Sequence, residues 1–189
     1  SMASGNRRRP RHCILMRQDR IQALIEIVLY IINRTGGIDY QRLFIILYFG
    51  NQRTLLEWGY PMIDDKFCAF PHGPAPIELY KAIKGDKTVL SGLKDSVYIS
   101  QYYLLPKRQA NTDYLSISDM EILKDCIAKY GSMSFAELES VARPNCWKAA
   151  RENPENPFIE AADIARDGGA NERLIEYINE MIEFDKLMA

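Results

Sequence analysis

The sequence predicts a mainly α (α+β) fold, in which a single helical domain carries a small antiparallel β-sheet or hairpin packed on its helices. Two long segments in the first third of the chain repeat apolar residues at helical spacing. Two Ser-x-x-Glu sequences in the second half are typical of helix starts. One segment, residues 97–105, is rich in β-branched and aromatic residues and ends at Pro106, as a strand does.

The first two elements are predicted to be helices that form an antiparallel hairpin. Apolar side chains recur at helical spacing across residues 18–34, and Gly36-Gly37 ends the segment. Asp39 is an acceptable N-cap for a second helix, which we expect to run to Trp58. The apolar residues of this second helix cover more than a narrow stripe, so it should be largely buried.

Residues 59–84 change backbone type several times within a short stretch. Pro61 and Asp64-Asp65 are typical of a turn, which we expect to keep both carboxylates in solvent. Residues 66–70 have the aromatic content of a strand, and Gly73 to Pro76 predict a corner that opens a short helix over residues 77–84. Because two isolated strands are marginal, we expect 66–70 and 97–105 to pair antiparallel and to lie on the helices.

The second half predicts further helices. Ser118 and Glu121 form the pattern of a capping box for a helix to Tyr130, and Ser134 and Glu137 form that of a shorter helix through residue 141. Residues 146–151 and 159–165 are also predicted to be helical, and Gly168-Gly169 precedes a last helix over 171–188. That helix has two apolar stripes, so it should cover its own domain, a partner or a second copy.

Composition and compartment set broad limits. The chain has 189 residues, of which 47% are apolar and 26% charged, as in an ordinary soluble domain. Its four cysteines form no Cys-x-x-Cys pair, which favours a reduced, cytoplasmic setting without metal or disulfide. No apolar run approaches the length of about 20 residues that spans a membrane, so no membrane partner is expected.

The domain organisation follows from these segments. Residues 1–16 predict a disordered basic tail, whose Ser1-Met2 start is typical of a cleavage scar; an arm that contacts phosphates is the alternative. We expect one domain over 17–165 and a C-terminal helical segment over 166–189, docked on that domain or on a partner. Homo-oligomer formation through this segment is possible on the same grounds.

Catalytic chemistry is not indicated, and no cofactor or metal is expected. None of the common nucleophile, phosphate-loop, zinc-protease or dinucleotide motifs is present, and the chain has two histidines. Cys68 and His72 are four residues apart, about 13 Å along a strand, which is too far for a proton relay. We therefore predict that the protein is not an enzyme.

A DNA-binding regulator is the main alternative function. Residues 118–141 follow a helix-turn-helix pattern, but the second helix carries Glu137 and Glu139 and has no basic residue before Arg143. The net charge of the chain is −1, whereas nucleic-acid binding usually requires a basic excess. Nucleic acid is therefore an unlikely partner, and this helix pair is interpreted as a packing element.

The order of particular residues resembles the Panacea domain, the SocA-like antitoxin family of bacteria and their phages. The resemblance spans residues 18–165 and depends on the segments 43–49, 73–76, 79–80, 115–119 and 146–150. The chain departs from the family pattern at Gly50-Asn51, where an acidic residue is usual, and at Ala75, where valine is usual. The missing acid weakens any charged contact carried over to that position.

The resemblance implies a non-catalytic antitoxin that neutralises a cognate toxin by direct binding in the cytoplasm. If Gly73 has a positive φ, Gly73→Val should destabilise the fold itself; unchanged melting with lost neutralisation would instead make it a contact residue. The residues expected to form the family motif or to contact the partner are Tyr48, Phe49, Asn51, Leu55, Asp65, Phe67, Gly73, Pro74, Pro76, Leu79, Tyr80 and Trp147.

Overall fold

The elements follow one another with short connections in a computed structural model, which describes residues 17–188. The predicted basic tail of residues 1–16 lies outside the described residues. The fold is mainly α with two small antiparallel sheets, as predicted in class. The elements are α1 (Arg17–Thr35), β1 (Ile38–Asp39), α2 (Tyr40–Trp58), β2 (Phe67–Phe70), β3 (Gly73–Pro76), α3 (Ile77–Ile83), α4 (Leu93–Ser96), β4 (Val97–Ser100), β5 (Tyr103–Pro106), a 3-10 turn (Thr112–Tyr114), α5 (Ile117–Tyr130), α6 (Phe135–Val141), α7 (Asn145–Arg151), β6 (Phe158–Ile159), α8 (Ala161–Asp167) and α9 (Glu172–Met188).

The first sheet has the strand order β1-β5-β4. Strands β4 and β5 form a hairpin, in which Ser100 pairs with Tyr103 across a two-residue turn. Gln101, the first residue of that turn, has a φ of +56°. The prediction of one continuous strand over 97–105 that pairs with 66–70 is therefore wrong, because the chain reverses within the segment and pairs with itself.

The second sheet has the order β3-β2-β6. Phe67 of the central strand β2 pairs with Pro76 of β3 on one side and with Ile159 of β6 on the other. The predicted corner at Gly73 to Pro76 is thus itself a strand, joined to β2 by a tight turn. Residue 159, which was predicted to begin a helix, lies in strand β6, and α8 begins at Ala161.

Most helix ends follow the predicted chemistry. Asp39 caps α2 by accepting a hydrogen bond from the backbone N–H of Arg42 (3.0 Å), and Gly59 ends α2 with a φ of +78°. The capping box of Ser134 with Glu137 is confirmed.

The capping box predicted for the preceding helix is displaced by two residues. Helix α5 is capped by Ser116 with Asp119, and not by Ser118 with Glu121. Ser118 lies inside the first turn, where its Oγ accepts a hydrogen bond from Trp58 Nε1 at 3.0 Å. Its hydroxyl therefore binds a neighbouring helix rather than the helix terminus.

Helix α2 lies in the core, since most of its apolar side chains are buried and none is exposed. It packs most extensively against α5, whereas α1 packs mainly against β5 and the 3-10 turn. The predicted hairpin is therefore not the main packing of these two helices, which lie mostly against other elements. No helix within residues 17–188 is long and apolar enough to cross a membrane.

One buried carboxylate joins α1 to the segment after the first sheet. Glu26 is 1% exposed, and its oxygens accept hydrogen bonds from both terminal nitrogens of Arg108 (2.8 and 2.7 Å) and from the backbone N–H of Asn111 (2.8 Å). Burial opposes ionisation, but these hydrogen bonds and that from Gln22 hold the pKa of Glu26 below its usual value. Glu26 thus acts as a charged clamp.

Helix α9 docks through its N-terminal half. Ile175 and Ile178 are buried, and the Tyr177 ring lies where a side chain at Gly59 would be. Phe184 and Leu187 are exposed, and Leu187 retains 83% of its accessible surface. The C-terminal half of α9 therefore presents apolar side chains to solvent.

Candidate functional site

A groove of about 570 Å³ lies between the start of α2, the β2–β3 hairpin and the end of α3. Six of its fifteen lining residues are Phe or Tyr, and residues that are distant in sequence meet there. This size is within the range of pockets that take a ligand or a peptide side chain. The lining residues that shape it, hereafter the aromatic groove, are Tyr40, Phe44, Phe70, His72, Gly73, Pro74, Tyr80, Lys84, Tyr102 and Phe135.

The inner wall is a set of stacked rings. Tyr40 and Phe44, one helical turn apart on α2, have ring centroids 5.5 Å apart. Phe70 of β2 stacks on Tyr80 of α3 with centroids 4.1 Å apart. Because each ring packs on another ring, the wall is held in place before any partner arrives.

The outer rim is exposed and carries positive charge. The Phe135 ring is 56% exposed and lies 4.9 Å beneath the guanidinium carbon of Arg42. Tyr102, in the turn between β4 and β5, is 55% exposed. Lys84 Nζ donates to Tyr40 Oη at 3.1 Å, a hydrogen bond that raises the pKa of Lys84. The positively charged ammonium group of Lys84 therefore borders the aromatic surface of the groove.

The Arg42 side chain is fixed from two directions. Its guanidinium forms an ion pair with Asp39 (2.7 Å) and donates to the backbone carbonyl of Met133, next to α6. Asp39, which caps α2 and pairs in the first sheet, is itself buried. Arg42 thus positions Phe135 at the rim, and its charge is neutralised by Asp39.

The floor of the groove depends on Gly73. Its φ of +132° favours glycine, and a Cβ there would lie 2.7 Å from Ala142 Cβ and 3.1 Å from Ala142 O. The hairpin is also held by Trp147, whose Nε1 donates to the Phe70 carbonyl at 2.7 Å. The β2–β3 hairpin is therefore pressed against the end of α6 and the start of α7.

Asp65 connects the turn before β2 to α3. Its two carboxylate oxygens accept hydrogen bonds from the backbone N–H groups of Glu78 (3.0 Å) and Leu79 (2.9 Å). Burial raises the pKa of Asp65 to about 7, although these hydrogen bonds oppose the shift. The prediction that both turn carboxylates are solvated is wrong for Asp65; Asp64 is exposed and lies 3.5 Å from Arg20.

Three of the twelve expected site residues line the groove, namely Gly73, Pro74 and Tyr80. Tyr48 Oη lies 3.1 Å from Cys146 Sγ in the core, and Asn51 Oδ1 accepts the Ile63 N–H at 3.2 Å. Phe49 stacks on Tyr130 with centroids 4.6 Å apart. The residues that the core buries are Tyr48, Asn51, Leu55, Phe67, Pro76 and Leu79.

The sequence did not single out four residues of the groove: Tyr40, Lys84, Tyr102 and Phe135. They come from the start of α2, the end of α3, a hairpin turn and the first residue of α6, so no spacing relates them. A weak signal existed for Tyr102 and Phe135, which are large aromatic residues in a turn and in the exposed first turn of a helix.

The nucleophilic and metal-binding side chains do not assemble into a reactive site in the part of the chain that the structure describes. Cys68 lies within β2 and pairs with Ala75, whereas His72 is in the turn that follows, on the groove rim. Burial raises the pKa of the Cys146 thiol to about 12 and that of Cys126 to about 11. Within residues 17–188 no group of three His, Cys, Asp or Glu side chains could hold a metal ion.

The family model described as Antitoxin SocA-like, Panacea domain, matches residues 43–148. The chain belongs to this family. All twelve residues that were expected to form the family motif or the partner contact lie inside the matched segment. Gly73, at the floor of the aromatic groove, is one of them. Tyr40, on the groove wall, lies just outside it. No curated protein and no solved structure matches the chain.

Proposed function

We propose that this Panacea chain neutralises a cognate toxin by binding it directly, without catalysis, in the cytoplasm. Family membership supports a role in a toxin-antitoxin system. The observation that favours direct binding is the aromatic groove, because its rim combines exposed Tyr102 and Phe135 with a wall that is already ordered. Preordered aromatic side chains are typical of binding hot spots.

The charged and thiol groups support binding rather than chemistry. Asp39 at the groove is neutralised by Arg42, and the Cys146 thiol remains protonated at neutral pH because it is buried. The exposed groups that border the groove, His72 and Lys84, come from different elements, and no hydrogen bond joins them. A nucleophile oriented by a base is thus absent from the groove as the structure describes it.

The helix-turn-helix alternative has no comparable support. Glu139 of α6 forms an ion pair with Arg143 (3.2 Å), and Glu137 caps the helix. The exposed aromatic of this helix, Phe135, faces the groove. A helix with this charge and orientation suits protein contact better than phosphate contact.

Co-expression with the product of the adjacent open reading frame tests the proposal. We expect that product to stop growth alone, and the full-length chain to restore growth and to co-purify with it in a one-to-one or other fixed ratio. A chain that restores growth without any complex would contradict direct binding. A product that is harmless alone, or that stays toxic when bound, would contradict the antitoxin role.

We also propose that residues 17–165 form the toxin-binding domain and that the exposed end of α9 joins two copies of the chain. Phe184, Leu187 and Met188 lie on this end and are exposed. Sedimentation of the full chain should give a dimer, and Phe184→Ser with Leu187→Ser should give a monomer with an unchanged far-UV circular dichroism spectrum. A monomer before substitution would contradict the second proposal alone.

A further inference from the structure

Three lysines lie together beside the aromatic groove. Lys84, Lys94 and Lys107 line one hollow of about 420 Å³ between the end of α3 and strand β4. Lys84 also lines the aromatic groove, so the hollow and the groove lie side by side. We call these three side chains the lysine cluster.

Two ammonium groups of the cluster, those of Lys84 and Lys107, contact aromatic rings rather than acids. Lys84 Nζ lies 4.8 Å from the centroid of the Tyr40 ring, and Lys107 Nζ lies 4.8 Å from that of Tyr98. Lys107 Nζ also donates to the Lys94 carbonyl at 2.6 Å. Among residues 17–188, no carboxylate lies within ion-pair distance of any of the three. Their charge is therefore available to an external anion.

The positive charge of the lysine cluster contrasts with the net negative charge of the rest of the protein body. Four of the 24 basic residues belong to the first eleven residues, and all 25 acidic residues come later, so the body of the chain is net acidic. A cluster of three unpaired lysines on such a body favours a partner with a local acidic segment.

Strand β4 offers a backbone surface at the same place. It is an edge strand, since the sheet order is β1-β5-β4, and its residues Val97, Tyr98 and Ile99 line the hollow. An exposed strand edge pairs readily with an extended segment of another chain. The hollow therefore combines backbone pairing with positive charge.

We propose that the lysine cluster and the aromatic groove together bind an acidic, extended segment of the toxin. The carboxylates of that segment meet Lys84, Lys94 and Lys107, and an adjacent aromatic or aliphatic side chain enters the groove between Tyr102 and Phe135. This inference rests on the proposed function, because it names the surface and the partner chemistry for the same binding event.

A protein segment fits these observations better than a single-stranded nucleic acid. A strand of nucleic acid would also stack on aromatic rings, but its regular phosphates would extend past the three lysines onto the acidic body. A peptide can confine its acids to the cluster and place an apolar side chain in the groove. Within the described part of the chain, the outer edge of β4 has no strand partner, although its Val97 N–H donates to the Leu93 carbonyl. Such an edge is likewise a feature that a peptide uses and a nucleic acid does not.

Fluorescence anisotropy with defined probes tests the surface directly. The probes are a short labelled peptide of Glu and Asp around a central Phe-Leu pair, the same peptide with Lys in place of the acids, and a labelled oligothymidine. The full chain is compared with a variant in which the charge of all three lysines of the cluster is reversed. A matched control reverses the charge of three exposed lysines elsewhere that have no carboxylate partner among residues 17–188: Lys124, Lys129 and Lys148.

Of the three probes, we expect only the acidic peptide to bind. The triple variant Lys84→Glu, Lys94→Glu and Lys107→Glu should lower the affinity for this peptide by about tenfold or more. The control variant should bind as the parent chain does. The double variant Tyr102→Ser and Phe135→Ser should also bind the acidic peptide more weakly. The salt dependence of binding should change little, because these substitutions remove apolar contact and no charge. Melting curves of all variants should match that of the parent chain, since the substituted side chains are exposed.

Binding of oligothymidine that the cluster variant abolishes, without binding of the acidic peptide, would overturn the inference in favour of nucleic acid. Equal weakening by the cluster and control variants would overturn it too. The same variants in the growth assay separate the two proposals. If the cluster variant restores growth as well as the parent chain does, this surface is wrong and the antitoxin role stands; if the parent chain fails, the peptide result still decides the surface.

Discussion

Replacement of Gly73 by alanine should destabilise the whole fold through two separate terms. A side chain at a φ of +132° costs about 1–3 kcal/mol in backbone strain. The new Cβ would lie 2.7 Å from Ala142 Cβ, and overpacking of this kind costs about 1–3 kcal/mol more. The sum, about 4 kcal/mol, is a large part of the stability of an ordinary domain. It corresponds to a fall in Tm of about 10 °C for a chain of this size.

Gly85 provides the matched control for backbone strain alone. Its φ is +108°, and a Cβ there would meet nothing within 4 Å. Urea unfolding followed by circular dichroism should therefore give Gly85→Ala a loss of about 1–3 kcal/mol. The excess loss in Gly73→Ala measures the contact with Ala142, and addition of Ala142→Gly should recover part of that excess.

Equal losses for Gly73→Ala and Gly85→Ala would refute the packing part of this reasoning. An unchanged Tm for Gly73→Ala would refute both parts. If growth rescue were then lost, Gly73 would be a partner contact rather than a structural glycine.

Three further substitutions test the contacts that surround the groove and the core. Glu26→Ala should lower the free energy of unfolding by about 3 kcal/mol, because Arg108 loses a buried acceptor that it binds through two nitrogens. Asp65→Asn should flatten the pH dependence of stability, measured by urea unfolding from pH 4 to 8. Burial raises the pKa of Asp65 from 3.8 to about 7, so its contribution is complete below the lower value and is lost as pH rises through the higher one. Trp147→Phe should lower the Tm by about 2–4 °C through loss of the hydrogen bond to Phe70, with growth rescue unchanged.

Each of these has a distinct contrary outcome. Glu139→Ala, which removes a half-exposed ion pair, should cost less than about 1 kcal/mol; an equal cost for Glu26→Ala would show that burial adds nothing. If Asp65→Asn left the pH dependence of the free energy of unfolding unaltered, that dependence would belong to another titratable group. Loss of growth rescue in a stable Trp147→Phe variant would place Trp147 at the interface.

The helices could be predicted because their signals are local. Asp39 and Gly59 mark the ends of α2, and Ser134 with Glu137 marks the start of α6, each by chemistry within one turn of helix. Strand pairing depends on partners that are far away in the chain. The two-residue strand β6 has no periodicity of its own, so only the structure shows that Ile159 pairs with Phe67.

The groove could not be predicted from the sequence for the same reason. Gly73 and Tyr80 belong to one continuous motif and could be named, and the positive φ expected for Gly73 is confirmed. Tyr40, Tyr102 and Phe135 become neighbours only through the packing of α2, the first sheet and α6. Burial also separated motif residues by role, since Tyr48 and Phe67 pack on each other in the core with ring centroids 5.6 Å apart.

The position of β6 has a consequence for synthesis of the chain. Strand β2 is central in its sheet, yet its second neighbour is made roughly 90 residues later, which takes about 5–20 s at ordinary translation rates. During that interval the nascent protein has an open strand edge at residues 67–68, a position open to incorrect pairing. A gene fragment that encodes only the family-matched segment, 43–148, would make this state permanent, because residues 158–159 would never arrive.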